Sequence, residues 1–143
     1  MTTTDPLALD AQVCFSLYSG ERAVGAAYRE LLAPLGLTYP QYLVMLALWE
    51  DDDQPVSALG RRLGLDSGTL SPLLKRLEAA GRLTRSRSDD DERVVRVQLT
   101  GSGAALRADA VTIPTELASR MRLTAAEATE LHRLLGKICG RDA

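Results

Sequence analysis

The feature that most limits what this chain can fold into is a change of hydrophobic period at Gly81. Upstream, residues 57–63 and 66–80 carry two short helical patterns joined by Gly64-Leu65-Asp66. Ser57 reads as the cap of the first. Asp66 or Ser67 starts the second, and Gly81 stands where a left-handed residue closes a helix. Downstream, residues 83–87 and 93–99 alternate, with Val95, Val97 and Leu99 on one face and Val94, Arg96 and Gln98 on the other. Ser88-Asp89-Asp90-Asp91-Glu92 is the polar turn between them. Two short helices about a tight turn, followed at once by a hairpin, predict a helix-turn-helix with a β wing.

The flanks read as helix. Leu7, Leu9, Val13, Leu17, Val24, Leu31 and Leu32 recur at near-helical spacing over residues 7–33, and Pro34 and Gly36 stop that pattern. Thr38 and Gln41 form a capping box, with Pro40 in the permissive first turn, for a second helix over 38–50. Its run from Tyr42 to Trp49 is apolar nearly all round, which predicts burial on most sides. Asp51-Asp52-Asp53-Gln54 reads as an exposed loop. Thr100 opens a helix over 101–119 with a break at Pro114, and Thr124 with Glu127 caps a last helix to about 138. The expected fold is mainly α with a small β wing. Its parts are an N-terminal dimerisation helix (1–37), a winged helix-turn-helix (38–100) and C-terminal dimerisation helices (101–143).

Composition narrows the function classes. The 143 residues are 45% hydrophobic and 25% charged, a folded rather than a disordered profile. No stretch approaches the roughly 20 apolar residues of a membrane span, and Met1-Thr2-Thr3-Thr4-Asp5-Pro6 has no basic leader region. A cytoplasmic protein with no membrane partner is expected. With Cys14 and Cys139 far apart and a lone His132, neither a metal site nor a cofactor is expected. The net charge of −2 hides an asymmetry: residues 57–99 hold nine Lys/Arg and six Asp/Glu, net +3, against −5 elsewhere. Four of those six acids sit in the turn at 89–92, so the rest of the segment is basic, as a phosphate-facing surface requires.

A helix that reads DNA needs small polar side chains near its N-terminus and cations further along, to reach base edges and neutralise phosphates. Ser67, Thr69, Ser71, Lys75 and Arg76 fit that need, with Leu70, Leu73, Leu74 and Leu77 as the buried face. A plain solvated surface helix would look similar. The wing adds Arg85, Arg87, Arg93 and Arg96, and an arginine at a hairpin tip suits minor-groove insertion. Asp91 is placed to hold Arg93 by an ion pair.

The wing segment Asp91-Glu92-Arg93-Val94-Val95-Arg96-Val97-Gln98-Leu99-Thr100 resembles that of MarR-family regulators, which carry an Asp-x-Arg motif, a strand and Leu-Thr. Leu73 to Gly81 is similar to the end of that family's recognition helix. The resemblance spans nearly the whole chain. It implies an obligate homodimer that binds double-stranded palindromic operator DNA and represses, not an enzyme.

A regulator needs an input. Cys14 and Tyr18 are one helical turn apart on one face. Tyr28 returns to within about 40° of that face but about 21 Å along the axis, out of reach within one chain. An antiparallel crossing of two first helices in a dimer would bring them together, with Tyr39 close in sequence to the same region. Phenols donating to a thiolate stabilise it and raise its reactivity. From these residues alone, a small buried apolar cysteine with half-wet tyrosines is the more ordinary reading. The segments Leu9 to Ser19, Leu35 to Leu46 and Leu65 to Leu70 further resemble the organic-hydroperoxide-sensing subgroup called OhrR. That resemblance implies that Cys14 is the peroxide-sensing thiol and that Tyr18, Tyr28 and Tyr39 surround it, with an organic hydroperoxide as inducer. In one subclass a second cysteine of the partner resolves the oxidised thiol. It falls near Ser119, where this chain has none, which leaves Cys139 as a candidate resolving thiol and a low-molecular-weight thiol as its alternative. Two rival readings are a regulator answering a non-covalent phenolic ligand and a thiol peroxidase built on Cys14.

Overall fold

The computed structural model describes residues 5–141; residues 1–4, read above against a leader, lie outside the described residues. The chain divides into two compact units, one of residues 28–112 and one of residues 1–27 with 113–143.

The larger unit starts with the last turns of α1 (Val13–Leu32) and continues through α2 (Tyr39–Glu50), β1 (Gln54–Pro55), α3 (Val56–Leu63), α4 (Ser67–Ala79), β2 (Leu83–Arg87), β3 (Val95–Leu99) and α5 (Gly101–Ala110). The predicted capping box of α2 is present: Gln41 N–H donates to Thr38 Oγ1 and the Gln41 side chain accepts from Thr38 N–H. Tyr42, Val44, Met45, Ala47 and Leu48 are buried, so α2 is the central element of this unit. Leu59 of α3, Leu70, Leu74 and Leu77 of α4, and Leu83 and Val97 of the sheet complete its core.

The sheet is antiparallel in the order β1-β3-β2, and the hairpin register pairs Leu83 with Leu99 and Arg87 with Val95. Two expectations are corrected here. Gln54 is not in an exposed loop: it is buried, pairs with Val97, and its amide donates to Ala47 O (3.2 Å) and Asp51 O (2.5 Å). Ser57 does not cap α3, because that helix starts at Val56 behind Pro55 and has no side-chain cap. The expected break in the pattern over 101–119 is present: α5 ends at Ala110 and α6 (Ile113–Met121) begins one residue before Pro114, because proline is tolerated in a helix's first turn and not inside it.

The smaller unit holds the first part of α1, α6 and α7 (Ala125–Ile138), which starts at the predicted Thr124–Glu127 capping box. The first expected helix also starts later than its pattern, at Val13, after a 3-10 turn at Leu9–Ala11. α7 buries none of its residues in the single chain. Val13, Phe15, Leu131, Leu134 and Ile138 are all exposed, although Leu131, Leu134 and Ile138 recur at helical spacing on α7. Among the described residues no single helix is long and apolar enough to cross a membrane.

Candidate nucleic-acid interface and thiol site

The second short helix, α4, is capped as its sequence requires. Asp66 Oδ1 accepts from Thr69 N–H at 2.8 Å, and that bond holds the Asp66 carboxyl below the usual range. Leu70, Leu73, Leu74 and Leu77 face inward. Ser67, Thr69, Ser71, Lys75 and Arg76 are exposed, on the face left for a partner.

Between α3, α4 and the hairpin lies a cleft of about 320 Å³ lined by Val56, Ser57, Ser71, Leu74, Arg85, Arg93, Val94 and Val95. It brings together three of the expected residues, Ser71, Arg85 and Arg93, and adds Ser57, whose side chain caps no helix. Two hydroxyls and two guanidiniums around one opening are donors suited to phosphate oxygens.

The wing tip is built by its own ion pair. Arg93 donates to Asp91 through its backbone N–H (3.0 Å), Nε (3.1 Å) and Nη2 (3.2 Å). The Arg93 side-chain bonds, ahead of the backbone one, hold the Asp91 carboxyl low. Arg93 stays 90% exposed, so the pair aims the guanidinium without covering it. Arg87 donates to Glu92 O at 2.7 Å across the same tip.

Arg85 and Arg96 are engaged differently. Glu78, near the end of α4, accepts from Arg85 N–H (2.9 Å), Nη2 (3.1 Å) and Nε (3.3 Å). Arg96 Nε donates to Asp53 Oδ1 at 2.8 Å and its Nη2 to Asp53 O at 2.6 Å. The first pair ties the wing to the recognition helix, and the second ties it to the turn before β1. Neither tie is legible in sequence, since each joins residues that only the folded sheet brings together.

The thiol side is arranged unit by unit. In the smaller unit Cys14 is exposed and free in the first turn of α1. Tyr18 follows one turn on, 59% exposed, with the Arg22 guanidinium 5.6 Å from its ring centre. Cys139 is exposed and free at the C-terminal cap of α7. His132 is exposed. In the larger unit Tyr28 and Tyr39 stack at 4.4 Å between ring centres. Tyr42 lies 5.8 Å from Tyr28 and 6.4 Å from Tyr39, and Trp49 meets Tyr42 edge-on at 6.4 Å. Burial, then the neighbouring phenols of Tyr39 and Tyr42, push the Tyr28 hydroxyl up to about 12. Burial, followed by Tyr39, raises that of Tyr42 as well. Both stay protonated donors at neutral pH. In sequence Tyr42 and Trp49 look like core alone; the spacing from Tyr39 to Tyr42, three residues on one helix, is the signal that joins Tyr42 to the other phenols.

A family model described as "Transcriptional regulator SarA/Rot" matches residues 26–109. The chain is 55% identical over 103 residues to the HTH-type transcriptional regulator TtmR of Methylorubrum extorquens, a match covering 72% of this chain and 53%, about half, of that protein's length. It is 49% identical over 110 residues to the organic hydroperoxide resistance transcriptional regulator of Bacillus subtilis, covering 77% of this chain and 75% of that one. Among solved structures, reduced AbfR bound to DNA superposes with a TM-score of 0.78 at 35% identity over 92% of both chains. AbfR, from Staphylococcus epidermidis, is also known in overoxidized, DNA-bound and disulfide-formed states.

Proposed function

The chain belongs to the MarR/SarA family of winged-helix transcription regulators, and from that premise we propose that it is a homodimeric repressor released from its operator when an organic hydroperoxide oxidises Cys14. The observation that carries this reading is a free, exposed Cys14 one turn from Tyr18 in a chain of the organic-hydroperoxide-regulator type.

Residues 38–100 read the DNA, and residues 1–37 and 101–143 hold the dimer. Ser67, Thr69, Ser71, Lys75 and Arg76 enter the major groove from α4, and Arg93, aimed by Asp91, enters the minor groove. Arg85 lines the phosphate-facing cleft. The exposed apolar residues of the smaller unit are covered by a second copy. In an antiparallel crossing of two first helices, Cys14 of one protomer meets Tyr28 and Tyr39 of the other, while Tyr18 comes from its own helix. Their hydroxyls donate to the thiolate.

The thiolate sulfur attacks the terminal peroxide oxygen. The O–O bond breaks, two electrons pass from sulfur to the peroxide, and the alkoxide takes a proton and leaves as an alcohol. Cys14 is left as a sulfenic acid, which condenses with a thiol to a disulfide and water. That thiol is a low-molecular-weight one or Cys139. The oxidised sulfur no longer suits its phenol partners. The helices shift, and the two reading units lose the spacing of about 34 Å that successive grooves demand. Such a regulator works in the cytoplasm.

The test is operator binding of wild type and Cys14→Ser before and after one equivalent of cumene hydroperoxide. The wild type is expected to release and the variant to stay bound. Release of the variant would overturn the redox reading in favour of a non-covalent ligand, and steady turnover of peroxide by the wild type would favour a peroxidase. Intact mass separates a small-thiol adduct from a Cys14–Cys139 crosslink.

A further inference from the structure

The aromatic group that starts at Tyr28 and Tyr39 does not end in a passive core. Tyr42 touches both rings and presents its own to the edge of Trp49. The Trp49 indole Nε1 then donates to the Gly103 carbonyl at 2.9 Å, across 54 residues of sequence. Gly103 is buried in the first turn of α5, pressed on Arg82 so closely that a Cβ there would lie 1.9 Å from the Arg82 carbonyl oxygen.

Arg82 is the corner of the DNA-reading unit. Its N–H donates to Leu77 O at 2.9 Å and closes α4, its carbonyl accepts from Thr100 N–H at 3.1 Å, and β2 begins at the next residue. Thr100 Oγ1 also donates to Gly81 O at 2.6 Å, and Arg82 Nη1 to Ser102 Oγ at 2.8 Å. Recognition helix, wing and α5 therefore leave from one backbone knot, and Trp49 is its link to the phenols.

We propose that Trp49 is a positioning residue that couples the state of the Tyr28–Tyr39 pair to the corner at Arg82, and so to the angle between recognition helix and wing. This rests on the reading of Tyr28 and Tyr39 as partners of the Cys14 thiol. The physical reason is close packing: rings in contact cannot absorb a displacement by compressing, so a change at Tyr28 or Tyr39 moves Tyr42 and the indole behind it. The indole's one N–H is fixed to a backbone carbonyl, and the glycine carrying that carbonyl has no slack against Arg82.

The test uses the full-length protein with Trp49→Phe, which keeps an aromatic ring and removes the donor. Operator affinity is measured reduced and after oxidation, beside the rate at which Cys14 is oxidised. The ratio of oxidised to reduced Kd is expected to fall at least about fivefold relative to wild type, the lower end of ordinary coupling between sites. The rate of Cys14 oxidation is expected to stay within about twofold. A ratio equal to wild type, with only a lower Tm, would overturn the proposal and leave Trp49 a plain core residue. A wild type that keeps its operator after Cys14 is oxidised overturns both this proposal and the reading beneath it, which separates the two failures. A second measurement needs no variant there. Trp49 is the chain's single tryptophan, so its emission is expected to shift when wild type is oxidised and to stay unchanged in Cys14→Ser. No shift in the wild type would also overturn the proposal.

Discussion

The Arg85 guanidinium and its backbone N–H both meet the Glu78 carboxylate. A wing arginine counted from sequence as a free cation is therefore first a strut. Glu78 is held below the usual glutamate range, by the Arg85 backbone N–H first and its side chain second. A lowered carboxylate stabilises the fold above its unfolded-state value near 4.5, and the contribution is lost as pH falls through the lower native value. Glu78→Gln is expected to lower stability only slightly at neutral pH, because the pair is partly exposed and screened by solvent. In acid the urea curves of variant and wild type should converge. A gap that widens in acid would contradict this sign. Operator affinity should fall further than stability does, since Arg85 would lose its orientation toward the cleft.

At the scale of elements, the two joints of the DNA-reading unit differ in kind. Gly81, at φ 76°, closes α4 in the left-handed region that favours glycine, and the sequence announces it. Gly103 sits in a helix, where nothing local asks for glycine, and is needed because the Arg82 carbonyl occupies the space a side chain would take. Gly103→Ala is expected to destabilise by about 1–3 kcal/mol, as overpacking does, despite the better helix propensity of alanine. Chemical denaturation measures it, and a variant as stable as wild type would show that the α5 start gives way easily. β1 follows the same logic: two residues of strand are too short to alternate, and Gln54 is buried with its amide donating to the Ala47 and Asp51 carbonyls at the end of α2.

At the scale of the whole molecule, the smaller unit leaves Val13, Leu134 and the 65%-exposed Ile138 in water. In the proposed dimer these residues are covered, and stability then depends on protein concentration. Ile138→Glu is expected to shift the protein toward monomer in sedimentation, lower its Tm and weaken operator binding by more than tenfold, because one reading unit alone contacts one half-site. An Ile138→Glu protein that stays dimeric with full affinity would place the dimer contact elsewhere.

The local structure is written in short stretches of the chain. Capping boxes at Thr38 and Thr124, the Asp66 cap, the left-handed glycine at 81 and the period change after it are each written within a few neighbouring residues, so helices, hairpin and the exposed face of α4 were legible. Cys14 and Tyr18 were legible too, as near neighbours on one helix. Which cations act as struts and which stay open to solvent follows from the packed fold: Arg85 and Arg96 are bound by Glu78 and Asp53, whereas Arg93 keeps its guanidinium exposed while paired. It also decided that Trp49 reaches Gly103 and that Gln54 is core. Those facts rest on groups far apart in the chain, and a pattern of one period cannot encode a contact that only the folded sheet and the packed helices create.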